Sequence, residues 1–276
     1  MNAISPSVRI PRLDSVGRVT FPRVLLSEWT KLRSVRSTAW SLGAGILLTI
    51  AFPVIFAFVT SSHWGTMSPQ DRASRHPLDI ALAGVNVAQL AIAVLGVLLI
   101  SAEYSTGSIR STFTAVPKRL LVLWAKLLDY AAVSIVLMVP AVLVSFFASQ
   151  AILGRHDILQ ISFSQAGVAR SVLGGALYVM LVGTFALAIG AIVRNTAGGI
   201  AAFAAIFFVL PPLMFVLPRR WNDAISQYLP SEAGRQLFAL QHAAHTLRPL
   251  TGGLVFAGYC AAAIVIAAVL LVRRDV

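Results

Sequence analysis

Residues 80–101 read IALAGVNVAQLAIAVLGVLLIS, twenty-two positions without a single charge. A helix needs about 20 mostly apolar residues to cross roughly 30 Å of hydrocarbon, and this stretch has the length and composition to do so. The only other way to satisfy every backbone polar group in lipid is a closed β-barrel, whose strands alternate apolar and polar positions. The run Val94-Leu95-Gly96-Val97-Leu98-Leu99-Ile100 has no such alternation. Five further stretches qualify: 39–60, 120–149, 167–193, 196–217 and 252–272. The third of the six spans carries Lys126 and Asp129 in its first turns, so its membrane-embedded part is expected to begin near Leu128. The spacing therefore predicts an all-α membrane protein with a single six-helix domain over 39–276.

The whole chain agrees with its richest segment. Of 276 residues, 58% are apolar and only 12% are charged. A soluble domain carries about 25% charged residues. Too few charges remain here to coat a water-facing surface, which excludes a soluble globular enzyme, and the high hydrophobicity excludes intrinsic disorder.

The net charge is +12, from 19 Arg and 3 Lys against 10 acidic residues. In a membrane protein such a balance reads as topology rather than nucleic-acid binding, since basic residues collect in cytoplasmic loops. With both termini inside, fourteen basic residues fall on the cytoplasmic side and eight on the outer side, which favours that orientation. The first apolar run starts only at Ala39, behind a basic lead, so the first span is expected to be a retained anchor. Residues 1–20, broken by Pro6 and Pro11, read as a flexible basic tail. The single cysteine, Cys260, lies in an apolar run and reads as a packing residue.

Three polar pieces lie outside the spans. Segment 21–38 is an amphipathic helix candidate: Leu25, Trp29, Leu32 and Val35 recur at helical spacing, and Arg23, Glu28, Lys31, Arg33 and Arg36 supply charge. Such a helix can lie in the headgroup layer of the lipid bilayer with its apolar face dipped. Segment 103–119 joins spans two and three; Gly107 and its hydroxyls can turn the chain, and Pro117 ends whatever precedes it. Ile109, Phe113 and Val116 follow at i, i+4 and i+7, an apolar face on the water side that needs a partner. The outer loop 218–251 holds a short helical pattern over 231–240 with Ser231 as a possible N-cap. By contrast, Arg194-Asn195 leaves almost no loop between spans four and five, which makes them antiparallel neighbours.

Polar residues inside the spans are few. Asn86 and Gln89 share one face of span two and suit either interhelical hydrogen bonding or a path for polar groups. Pro53, Pro140 and Pro211-Pro212 can kink spans one, three and five, and kinked spans one and five join polar span two as candidates for a path. Gly174, Gly175, Gly183 and Gly190 permit close packing of span four.

Catalytic constellations are missing from the sequence. There is no phosphate-binding G-x-x-x-x-G-K-[ST] loop, no H-E-x-x-H and no G-x-S-x-G, so neither an enzyme nor a resident metal is expected. His242 and His245 lack a third ligand nearby.

Taken together, these pieces resemble the membrane subunits of type-2 ABC exporters, particularly the actinobacterial permeases. The resemblance rests on Ser27-Glu28-Trp29-Thr30-Lys31-Leu32-Arg33-Ser34 before span one, and on Glu103-Tyr104-Ser105-Thr106-Gly107-Ser108-Ile109-Arg110 continued by Val116-Pro117-Lys118-Arg119. A weaker carrier is Leu229-Pro230-Ser231-Glu232-Ala233-Gly234. It implies a multi-pass protein of a bacterial plasma membrane. In it, 21–38 is a connecting helix along the inner face and 103–119 is a coupling segment seated on a separate ATPase subunit. It further implies a second permease subunit, preferably a second copy, with ATP and Mg bound by the partner ATPase and no cofactor in this chain. The rival classes are a non-transporting polytopic immunity or assembly protein and an intramembrane enzyme.

Overall fold

The computed structural model describes residues 20–116, 118–155, 160–240 and 246–274; the tail 1–19, Pro117 and the pair His242 and His245 lie outside these described residues. Its helices in chain order are α1 (Phe21–Ser34), α2 (Arg36–His63), α3 (Pro69–Ser74), α4 (Pro77–Ser105), α5 (Ser108–Ala115) and α6 (Arg119–Gly154). Then follow α7 (Val168–Val193), α8 (Thr196–Ala204), α9 (Leu210–Leu213), α10 (Arg219–Ile225), α11 (Pro230–Arg235) and α12 (Pro249–Arg273). Among the described residues there are no strands. Six helical stretches are long and apolar enough to cross a membrane: α2, α4, α6, α7, the composite Thr196–Val216, and α12. They coincide with the six expected from hydropathy and mark a multi-pass membrane protein.

Helices α4 and α7 form the centre and are the most deeply buried spans. They pack along each other, with α2 and α6 against α4, and α6 and α12 against α7. The contact between α4 and α7 is close because glycines meet there. A Cβ on Gly96 would collide with the carbonyl oxygen of Gly183, and a Cβ on Gly183 would collide with the Tyr130 hydroxyl. Without side chains at these points the two backbones approach directly, which is how small residues stabilise helix pairs in a medium that provides no hydrophobic drive between them.

Two proline sites behave differently. Pro53 is buried within α2, and a Cβ on Gly84 of α4 would meet its ring and the carbonyls of Leu48 and Thr49. It thus packs against α4. Pro211 and Pro212 lack the N–H groups that would bond the preceding turn, and the chain accommodates them with a π-helical turn over Ala205–Val209 before α9. Span five is therefore one continuous helical stretch that carries a π-turn, and it is the least buried of the six.

The turn after α7 is as short as its sequence requires. Arg194 adopts the left-handed conformation at φ 59°, and the Asn195 side chain accepts a hydrogen bond from Gly198 N to cap α8. Ser231 does not cap α11: the helix starts at Pro230 after Leu229, and Ser231 is buried. The expected helix over 231–240 also stops at Arg235, where the chain passes into turns. Glycine again sets the packing, since a Cβ on Gly234 would meet the rings of Tyr178 and Phe256. Cys260 is buried in the core, as its setting suggested.

Both described ends of the chain lie at the same end of the bundle. Val24 of α1 packs on Val122 and Ala125 near the start of α6, and Arg119 Nη1 donates to the carbonyl oxygens of Leu271 and Arg274 at 3.1 Å each.

Candidate functional site

At that end, four charged residues from three helices close into a ring. Lys126 Nζ, on α6, donates to Glu28 Oε2 of α1 at 2.6 Å and to Glu103 Oε1 of α4 at 2.7 Å. Lys31 Nζ, on α1, donates to Glu28 Oε1 at 2.7 Å, to Glu103 Oε1 at 3.1 Å and to Thr112 Oγ1 of α5 at 3.2 Å. Each ammonium bridges the same two carboxylates. Glu28 is 3% exposed and Lys126 6%, whereas the Lys31 side chain is 40% exposed. Burial penalises the Lys31 charge, but hydrogen bonds and attraction from Glu28 and Glu103 outweigh that penalty and hold its ammonium above the ordinary lysine value.

This ring turns two of the charges of α1 inward. The apolar spacing of Leu25, Trp29, Leu32 and Val35 put the charges on the outer face. Instead Val24, Glu28 and Lys31, at i, i+4 and i+7, turn toward α6 and α4, while Leu26, Trp29, Val35 and Arg33 are exposed. Leu25 and Leu32 are half-buried, packing on the α1–α6 contact and the main core respectively. Besides the apolar contact of Val24 with α6, Glu28 and Lys31 hold the helix to the bundle, each through a partner from a distant part of the chain.

Within 103–119, residues 103–105 end α4, Ser108–Ala115 form α5 and Arg119 opens α6. Gly107 stands at the start of α5 with φ +73°, a left-handed conformation that glycine adopts without steric cost. Its apolar residues do not face water. Ile109 is 2% exposed, and Phe113 is half-buried, packed against Val24, Val122 and Ala125. The Arg119 guanidinium lies over the Phe113 ring at 5.4 Å. The partner surface those side chains require is the chain's own. What α5 turns outward is polar: Ser108, Arg110, Ser111 and Thr114. Tyr104, at the end of α4, lies under the Arg194 guanidinium at 5.1 Å.

A cavity of about 440 Å³ opens beside the ring between α1, α4, α5 and α6. Leu32, Val35, Leu98 and Leu99 give it apolar walls, and Glu28, Lys31, Glu103, Lys126 and Asp129 give it charge. Sequence reading did not single out Lys126 and Asp129 as site residues. The available signal was their i, i+3 spacing at the foot of a span, facing a lone Glu103 at the foot of the preceding one.

The expected path residues scatter. Gln89 Oε1 accepts a hydrogen bond from the Tyr178 hydroxyl of α7 at 2.5 Å, fully buried, which is interhelical bonding within one chain. Asn86, one turn earlier, keeps a buried amide oxygen without a partner among the described residues. Pro211 and Pro212 line a second cavity of about 450 Å³ at the opposite end, together with Phe207, Glu232 and Arg235. There α11 and the π-bulged span five face each other, and Glu232 pairs with Arg235 at 3.0 Å. Among the described residues no three His, Cys, Asp or Glu side chains gather as a metal-ligand set.

No known protein-family model matches this chain, and no curated protein matches it either.

Proposed function

We propose that this chain is the membrane-spanning subunit of an ATP-binding cassette exporter, driven by a separate ATPase subunit that binds ATP and Mg. It sits in a bacterial plasma membrane with both ends in the cytoplasm, α1 along the inner surface and α5 as the docking element. The observation that carries this reading is the charged ring Glu28–Lys31–Glu103–Lys126. A docking helix transmits force only if it is fastened to the spans it moves. Here α5 is fixed by Ile109 and Phe113 below and by the Lys31 bond to Thr112 beside it. The ring in turn ties α1 to the ends of α4 and α6. A push on the polar face of α5 is thus delivered to spans two and three instead of being absorbed in a loop. Closure of the ATPase pair would supply that push. The glycine seam between α4 and α7 is tightly packed, so the conduit forms between this chain and a second copy, with α11 and the π-bulged span five at the exit.

The test is co-expression with a candidate stand-alone ATPase subunit from the same genome. Arg110→Glu combined with Ser111→Arg, both on the exposed face of α5, should abolish ATPase co-purification while the membrane subunit still inserts. Unchanged recovery of the ATPase and unchanged stimulation of its turnover would sink the assignment.

A further inference from the structure

The cavity beside the ring has one charge more than its internal pairs consume. Three carboxylates and two ammoniums line it, and the ammoniums are spent on Glu28 and Glu103. Asp129 is 7% exposed, lines the cavity, and has a buried Oδ2 without a hydrogen-bond partner. Among the described residues no ion pair reaches it. An ionisable group so placed is costly unless something neutralises it, and a buried ionisable side chain lining a cavity marks a candidate ligand or ion site. The apolar walls opposite, Leu32, Val35, Leu98 and Leu99, call for a hydrocarbon or aromatic body. A volume of about 440 Å³ matches a drug-sized molecule.

We propose that this cavity binds an organic cation, an ammonium or phosphonium group on an apolar body, with Asp129 as its counter-ion. Anions are disfavoured because the two lysines are already neutralised by the two glutamates they share. The site needs only this chain and stands whether or not an ATPase drives it.

The full chain, purified in the uncharged detergent dodecyl maltoside, is titrated with tetraphenylphosphonium, with octylammonium, and with the isosteric anion tetraphenylborate. The result expected is saturable binding of at least one of the two cations and none of tetraphenylborate. Asp129→Asn should weaken cation binding about tenfold or more. Val35→Trp, which adds bulk at an exposed rim position and changes no charge, should weaken it comparably and serves if the Asp129 variant does not fold. Displacement by short-chain phosphatidylethanolamine would assign the site to an amine lipid headgroup, and indifference to it would assign a free cation; both uphold the proposal. Undiminished binding in the two variants, a preference for tetraphenylborate, or no saturable binding of either cation overturns it.

Discussion

Lys126 holds two carboxylates that no other buried cation reaches, and its position and that of Lys31 separate two kinds of ion pair. Breaking a buried pair leaves uncompensated charge and costs about 3–5 kcal/mol. Removing an exposed partner costs about 1 kcal/mol or less. Lys126→Met should therefore lower thermal stability in detergent strongly and Lys31→Met only slightly; equal losses would show that the ring is not a buried structure. The ring was only half legible in the sequence. Glu103 at the foot of a span invited a basic neighbour, but Glu28 and Lys31 read as the polar face of an interfacial helix because apolar periodicity counts only apolar residues. Their partners stand 72 or more positions away or one turn along, so nothing local distinguishes a solvated charge from a satisfied one. Ile109 escaped for the same reason: its cover comes from elsewhere in the chain.

At the scale of the helix, small residues decide how closely spans approach. Gly183 and Gly43 predict opposite outcomes. An alanine at Gly183 must displace the Tyr130 hydroxyl in a tightly packed seam, and overpacking costs about 1–3 kcal/mol. At Gly43 of α2 there is nothing within 4 Å of the added Cβ, so Gly43→Ala should be neutral or stabilising by up to about 1 kcal/mol. Unfolding midpoints of the two variants check the contrast. The helices themselves were plainly legible, because twenty apolar residues admit few alternatives. So was the two-residue turn at Arg194-Asn195. The glycines of span four read correctly as a close-packing face, but Gly96, their counterpart on α4, carried no local signal. The length of α11 was overestimated because its helical pattern continues past Arg235, while the chain folds in toward Tyr178 and Phe256.

For the whole molecule, orientation is the property on which function turns, and the lone cysteine makes it measurable. Cys260 is 4% exposed and shielded in the core, so cysteines introduced at Ser111 and Arg220 become the reactive ones. In right-side-out vesicles an impermeant maleimide should label Arg220→Cys and spare Ser111→Cys; the reverse pattern would place the chain ends outside. One more consequence lies in the grip of Arg119 on Leu271 and Arg274. A ribosome makes α5 and the foot of α6 early, yet the carbonyls that hold Arg119 emerge 152 and 155 positions later. Until the sixth span has entered the bilayer, the end of the bundle that carries α5 stands unlatched. The fold thus carries its own completion mark: α12 acts as a clasp on Arg119, whose guanidinium covers the Phe113 ring of α5.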